Sequence, residues 1–287
     1  MMVAPGPYHG RALPPNPERG VLVVACGPEE DPNVGQAADV YADELLALFW
    51  TLQDHGVLVN VCNVHGGRSG VKPSSDEFKR RYEEDQDDRE QLEMCCISLD
   101  RASCLQFDAR VYDAVVVMPG DDLPNNELVM KLVDGACKMN KFVASVGTGL
   151  AALVAARRWD QGEAGPPVPL LRGKRVCHWE DGLTRASVTA GSVPFSVEEK
   201  LHEVGAVVDP NGEMVVRDGR VFTAASPRDA AALAQVLLEA VSPRDERWVL
   251  IHNYYASVGG RPGDPMPEKD PQLPPPPAEA ARAFEIK

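Results

Sequence analysis

The stretch Lys141–Arg157, KFVASVGTGLAALVAAR, constrains this chain more than any other. Phe142–Val146 is a short apolar, β-branched run, the GTG after it is a sharp breaker, and Leu150–Arg157 is rich in the helix formers alanine and leucine. Strand, glycine turn, helix is the geometry that lifts a turn residue above the carboxyl edge of a sheet, where α/β proteins keep their chemistry. Many such turns present a Ser or Cys nucleophile. Here the turn residue is Gly147.

The flanking sequence repeats the same alternation. Val21–Ala25 (VLVVA) and Asp113–Met118 (DAVVVM) are continuous apolar runs, the pattern of parallel strands buried on both faces. Tyr41–His55 reads as an amphipathic helix closed by Gly56, and Val57–Val61 as the next strand. Residues 76–94 are expected to form one charged outer helix, and a helix over residues 125–139 leads into the central strand–turn–helix. Beyond the turn, Lys174–His178 predicts a strand and Val197–Val204 a helix. Ala206–Asp209, Met214–Val216 and Arg220–Thr223 predict short strands with a hairpin turn at Asp218-Gly219, and Pro227–Val241 predicts a helix with proline at its start. Strands alternating with helices imply a doubly wound, mostly parallel α/β sheet over residues 20–243. Residues 1–19 read as a proline-rich arm, and 244–287 as an extension. Its Trp248–Tyr255 segment is apolar enough to pack on the domain or on a second subunit, and a proline-rich tail follows.

Composition narrows the partners. With 29 basic against 43 acidic residues the net charge is −14, which argues against nucleic acid or an anionic membrane surface as partner. No apolar run reaches the roughly 18 residues of a membrane span, and the N-terminus has no apolar leader core. Seven cysteines at irregular spacing fit reduced thiols and a cytoplasmic setting. No Cys/His cluster has metal spacing, so neither a metal nor another cofactor is expected. Residues 147–152 match the G-x-G-x-x-A dinucleotide pattern, but far from the first βαβ unit and without an acidic strand end about 20 residues on.

In an open α/β sheet the residues just past the strand ends matter most. Here they are Cys26, Cys62, Gly120-Asp121-Asp122, Gly147-Thr148, and His178 with Glu180. Small buried filler is the bland reading of either cysteine. Cys177 and His178 are neighbours on the expected strand, so their side chains point to opposite faces and cannot pair as nucleophile and base. The acidic run Glu83–Glu90 reads as a solvated helix face. Glu44 lies in the first helix beside a Leu45 and Leu48 face. It is either an ordinary exposed helix glutamate, which the pattern alone favours, or a carboxylate at an apolar edge with a raised pKa, able to act as acid or base.

Several segments together resemble the ThiJ/PfpI superfamily, the glutamine-amidotransferase-like group that includes the Parkinsonism-associated deglycase. They include YADELLALFWTLQDHGVLVNV, FDARVYDAVVVMPG, LPNNELVMKLVDGACKMNKFVASVGTGLAAL, VPFSVEEKLHEVGAVV and MVVRDGRVFTAASPRDAAALAQVLLEAV. The likeness is greatest to the branch of heat-shock-inducible glyoxalase III and chaperone proteins. The resemblance implies a flavodoxin-like sandwich and a homodimer, and puts Glu44 on the active-site glutamate. It also implies departures. The family elbow reads A-V-C-H-G-P or A-I-C-A-G-P, whereas Ser145–Leu150 reads S-V-G-T-G-L, with Gly147 at the cysteine and Thr148 after it. The P-G-G-H-G turn is reduced to Pro119-Gly120-Asp121-Asp122, and either Glu180 or Asp181 fits the acidic third member.

Two readings follow. In the first, Glu44 is the acid/base of a lyase, hydratase or isomerase acting on a small carbonyl metabolite without a covalent intermediate, with Cys26, Gly120, Asp121 and His178 lining the ligand. In the second, the chain is a pseudoenzyme that binds a metabolite or partner, or acts as a chaperone-like dimer.

Overall fold

The computed structural model describes residues 16–25, 42–63, 73, 75–98, 112–120, 123, 126–158, 166–177 and 197–241. The β-branched runs form the parallel strands β1 (Asn16–Ala25), β2 (Val57–Asn63), β3 (Cys96–Ser98), β4 (Ala114–Val117) and β5 (Phe142–Val146). The chain continues through β6 (Arg157–Arg158), β7 (Val168–Pro169), β8 (Arg175–Val176), β9 (Val207–Val208), β10 (Val215–Asp218) and β11 (Val221–Ala224). Seven of them make one sheet in the order β10-β11-β5-β4-β1-β2-β3. All its neighbours are parallel except β10, which runs antiparallel to β11. β6 pairs with β7, and β8 with β9, outside that sheet.

Helices cover both faces, which is why the strands lack polar alternation. Leu22, Val24, Val115, Val117, Val143 and Val221 face α4 (Glu127–Lys138), α5 (Leu150–Ala155) and α6 (Val197–Val204). Their strand neighbours Val21, Val23, Val116, Ala144, Val146 and Phe222 face α1 (Ala42–Gln53) and α7 (Ala230–Val241). The chain winds outward from β1 to β2 and β3, then crosses back to β4 and β5. This is the doubly wound, flavodoxin-like architecture, with its switch point between β1 and β4. Among the described residues, no helix is long and apolar enough to cross a membrane.

The helix ends follow local chemistry. Asn126 caps α4 by accepting from the backbone N–H of Leu128 and Val129, at 3.0 and 3.2 Å. At the end of α1, Gly56 takes a φ of +76° and its N–H donates to Gln53 O.

Three expectations need correcting. Residues 76–94 form two helices, α2 (Asp76–Glu84) and α3 (Gln86–Cys95). Asp85 between them is extended, and its carboxylate accepts from Asp88 N, so its side chain caps the second helix in preference to continuing the first. Residues 16–19, assigned to the arm, instead extend β1. Asn16 lies opposite Val57, while the pairing with β4 begins only at Val21. Proline is tolerated there because that end of the strand is an edge. The hairpin turn lies one residue later than expected: Asp218 closes β10 and Gly219 takes φ +63°. Trp248–Tyr255 lies outside the described residues.

Candidate functional site

The carboxyl ends of four neighbouring strands, β11, β5, β4 and β1, bring distant residues to one edge. Beyond β5 the chain enters a single 3-10 turn, Gly147–Gly149, and then α5. Gly147 has φ +52°, a backbone that side chains disfavour, so the residue at the tip of the turn is glycine for a stated reason. A Cβ there would lie 3.1 Å from Pro227 Cδ and 3.3 Å from Pro119 Cγ. Two proline rings, one following β4 and one following β11, thus flank the tip. Gly149 is different. Its angles are ordinary helical ones, but the backbone carbonyls of Val117 and Met118 sit where its Cβ would be. The turn is pressed against the end of β4.

Thr148 is 8% exposed at the rim and Gly120 is half-buried. Pro227 opens a turn, Pro227–Asp229, whose capping box joins Ser226 and Asp229; the Asp229 carboxylate accepts from Ser226 N at 2.9 Å. That turn packs against α1.

Glu44 occupies the first turn of α1, the end of the helix nearest the carboxyl edge. Leu45, Leu46, Leu48, Phe49, Trp50 and Leu52 of that helix are buried, and Glu44 is half-buried beside them. It is therefore neither fully exposed nor part of the core. Its neighbour Asp43 accepts from Ser75 N–H at 2.8 Å, which ties the first turn of α1 to the start of α2. The structure thus gathers Gly120, Gly147, Thr148 and the first turn of α1 at one edge. Cys26, Asp121, Asp122, His178, Glu180 and Asp181 lie outside the described residues.

Two of the described thiols, Cys177 and Cys137, are held in the neutral form. Cys177 is buried, and its Sγ–H donates to Thr223 O at 2.8 Å while its N–H donates to Thr223 Oγ1 at 2.9 Å. Burial pushes its pKa up, so it remains a neutral thiol held under β11. Burial likewise pushes the Cys137 thiol up, to about 12. Cys62 is buried in β2. Among the described residues, no group of three or more His, Cys, Asp and Glu side chains is arranged to hold a metal ion.

Sequence reading placed the turn but missed its walls. Pro227 lies 80 positions beyond Gly147, and no local pattern joins them. The capping pair Ser226/Asp229 was the available signal, since it fixes where α7 begins and hence where Pro227 points.

The left-handed angle carries a prediction. Gly147→Cys should destabilise the protein by on the order of 1–3 kcal/mol, because a side chain enters a strained conformation and meets two rings. Urea midpoints of the two proteins measure it; equal midpoints would mean the tip is unstrained.

No family model and no curated protein sequence matches the chain. Solved structures do. The rapid encystment protein of 24 kDa from Francisella tularensis superposes with a TM-score of 0.60 at 21% identity, over 78% of this chain and 100% of that one. Glyoxalase III from Candida albicans gives 0.58 at 18% identity, over 78% and 98%. The chain thus shares the α/β fold of these two proteins.

Proposed function

We propose that the carboxyl edge binds a small carbonyl compound without covalent attachment, and that Glu44 moves a proton on it. The supporting observation is the elbow itself. Gly147 keeps the left-handed backbone of a presented turn residue but offers no side chain, so among the described residues the polar groups at this edge include backbone N–H groups, the Thr148 hydroxyl and the half-buried Glu44 of the first turn of α1. A carboxylate there can take a proton from the carbon next to a carbonyl. The electron pair moves onto the carbonyl oxygen, and amides around Gly120 and Gly147–Thr148 stabilise that oxyanion. Returning the proton elsewhere on the substrate completes an isomerisation, and loss of a neighbouring leaving group completes an elimination. Neither needs a thiolate or a co-reactant. Glyoxalase and deglycase chemistry and amide hydrolysis by the ThiJ/PfpI route do need a thiolate, and the buried Cys177 and half-buried Cys137 thiols, both with raised pKa, offer none.

The purified full-length protein should therefore not convert methylglyoxal to lactate, and a thermal-shift screen of small carbonyl metabolites should find ligands whose stabilisation is lost in Glu44→Gln. Robust thiol-dependent conversion of methylglyoxal, or ligands indifferent to Glu44→Gln, would overturn the reading. A second reading, a binding protein without catalysis, is favoured by Pro119 and Pro227 standing close to the Gly147 tip. Turnover lost in Glu44→Gln separates the two.

A further inference from the structure

We infer that the outer side of β10 is the docking surface for this chain's own segment Trp248–Tyr255, which adds to the sheet there as one more strand. The sheet ends at β10: among the described residues it pairs with β11 and with no strand on its other side. Ala225 N donates to Met214 O at 2.9 Å, and Val215 lies opposite Ala224. Along an antiparallel ladder the backbone groups of successive residues point alternately towards the partner and away from it, so Val215 and Arg217 turn their N–H and C=O outward. No described backbone group answers them. Such a row of donors and acceptors is a template for a further strand, and native sheets cover it. Two of the three large apolar side chains exposed among the described residues stand at the same end. Met214, 64% exposed, directly precedes β10, and Val207, 52% exposed, lies in β9, whose partner β8 packs against β10.

Reach and chemistry select the occupant. α7 starts just past the carboxyl end of β11 and packs against β11 and β10. Its 12 residues carry the chain about 18 Å back, to the amino edge of the sheet, where Asp218 ends β10. From Val241 to Trp248 the chain spans at most about 25 Å. The opposite edge, β3, is five strand spacings from β11, about 24 Å, with α1 lying between, so the tether favours β10. A segment entering beside Asp218 runs antiparallel to β10, towards Val215 and Met214. WVLIHNYY suits that place: it is rich in strand-favouring Trp, Val, Ile and Tyr, has neither proline nor glycine, and carries no formal charge with His neutral. As a strand it puts Trp248 and Leu250 on one face and Val249 and Ile251 on the other, so either face brings apolar cover. An edge closed from within the chain is also denied to a second copy. The inference does not depend on the proton-transfer reading of the site.

Residue-resolved hydrogen exchange on the full-length protein tests this, in wild type and in Ile251→Pro, which removes a strand donor from the segment and leaves the described residues untouched. The amides of Val215 and Arg217 should exchange about tenfold more slowly in wild type than in Ile251→Pro, the effect of losing a hydrogen bond of ordinary strength. Val216 and Asp218 face β11 and are the internal controls, whose rates should stay the same. Val249→Asp should give the same pattern, and it decides the matter if Ile251→Pro disturbs the controls. Equal rates for Val215 and Arg217 in wild type and Val249→Asp would overturn the assignment. So would protection that grows with protein concentration, because a second copy would then be covering the edge.

Discussion

Gly149→Ala is expected to destabilise the protein by about 3 kcal/mol or more, the upper range for forcing atoms into a packed interior. The reason is steric alone. Gly149 has φ −56° and ψ −20°, angles that alanine prefers, so conformation costs nothing. Its added methyl would fall on the carbonyl oxygens of Val117 and Met118, the latter at 2.8 Å. Those atoms belong to the backbone at the end of β4 and cannot rotate away. Relief requires the turn that carries Pro119 and Gly120 to move, so ligand binding should fall with stability. Gly173→Ala is the control. That residue has φ +70° but nothing within 4 Å of a Cβ, so it should lose only the conformational term, on the order of 1 kcal/mol. Equal urea midpoints for Gly149→Ala and wild type would mean the elbow is not pressed against β4 as described.

The second large effect concerns Arg81. Its guanidinium pairs with both oxygens of Asp54, at 3.0 and 2.6 Å, donates from Nε to Asp88, and lies 4.5 Å over the Trp50 ring. Asp88 is 1% exposed, with its second oxygen unpartnered, and burial raises its pKa to about 6 against the pull of Arg81. Arg81→Met leaves that carboxylate alone in the interior, and should cost about 3–5 kcal/mol near pH 7.5. The pH dependence has a definite sign. Because the folded value lies above the ordinary 3.8, the native state holds this proton more tightly than the unfolded chain. The contribution of Asp88 to stability is complete below about pH 4 and is lost as pH rises through about 6. Without Arg81 the carboxyl should hold its proton to still higher pH, so the deficit of Arg81→Met should shrink from pH 7.5 to pH 5. In Asp88→Asn that stretch of the stability–pH curve should flatten by on the order of 2–3 kcal/mol relative to wild type. Urea unfolding across pH 4–8 measures both; parallel curves for wild type and Asp88→Asn would refute the assignment.

The strands and helices that position the site were legible because each is written locally. Val21–Ala25, Asp113–Met118 and Phe142–Val146 are apolar runs that only a doubly covered sheet can bury, and the alternation of elements set the architecture. Gly147 was legible as a turn tip for the same reason, and its φ of +52° is what that reading required. The break at Asp85 was not legible, because it depends on one carboxylate choosing an amide three residues on over the continuing helix. The walls of the turn were hidden for a different reason. Pro119, Gly147 and Pro227 meet only after β4, β5 and β11 have paired, and Gly149 shows its close approach only once β4 lies beside β5. Arg81 read as one charge among many in an acidic stretch, although it joins residues of three helices.

α2 is fastened to α1 in three places: Ser75 to Asp43 at one end, Phe78 against Trp50 with centroids 5.6 Å apart, and Arg81 to Asp54 at the other. Two helices bolted together at both ends share one opening equilibrium. The outer helix cannot detach by fraying from its N-terminus without releasing Asp43, and so without loosening the turn that holds Glu44. Fluctuations of α2 are thereby transmitted to Glu44, whose reach is governed as much by α2 as by the helix it belongs to.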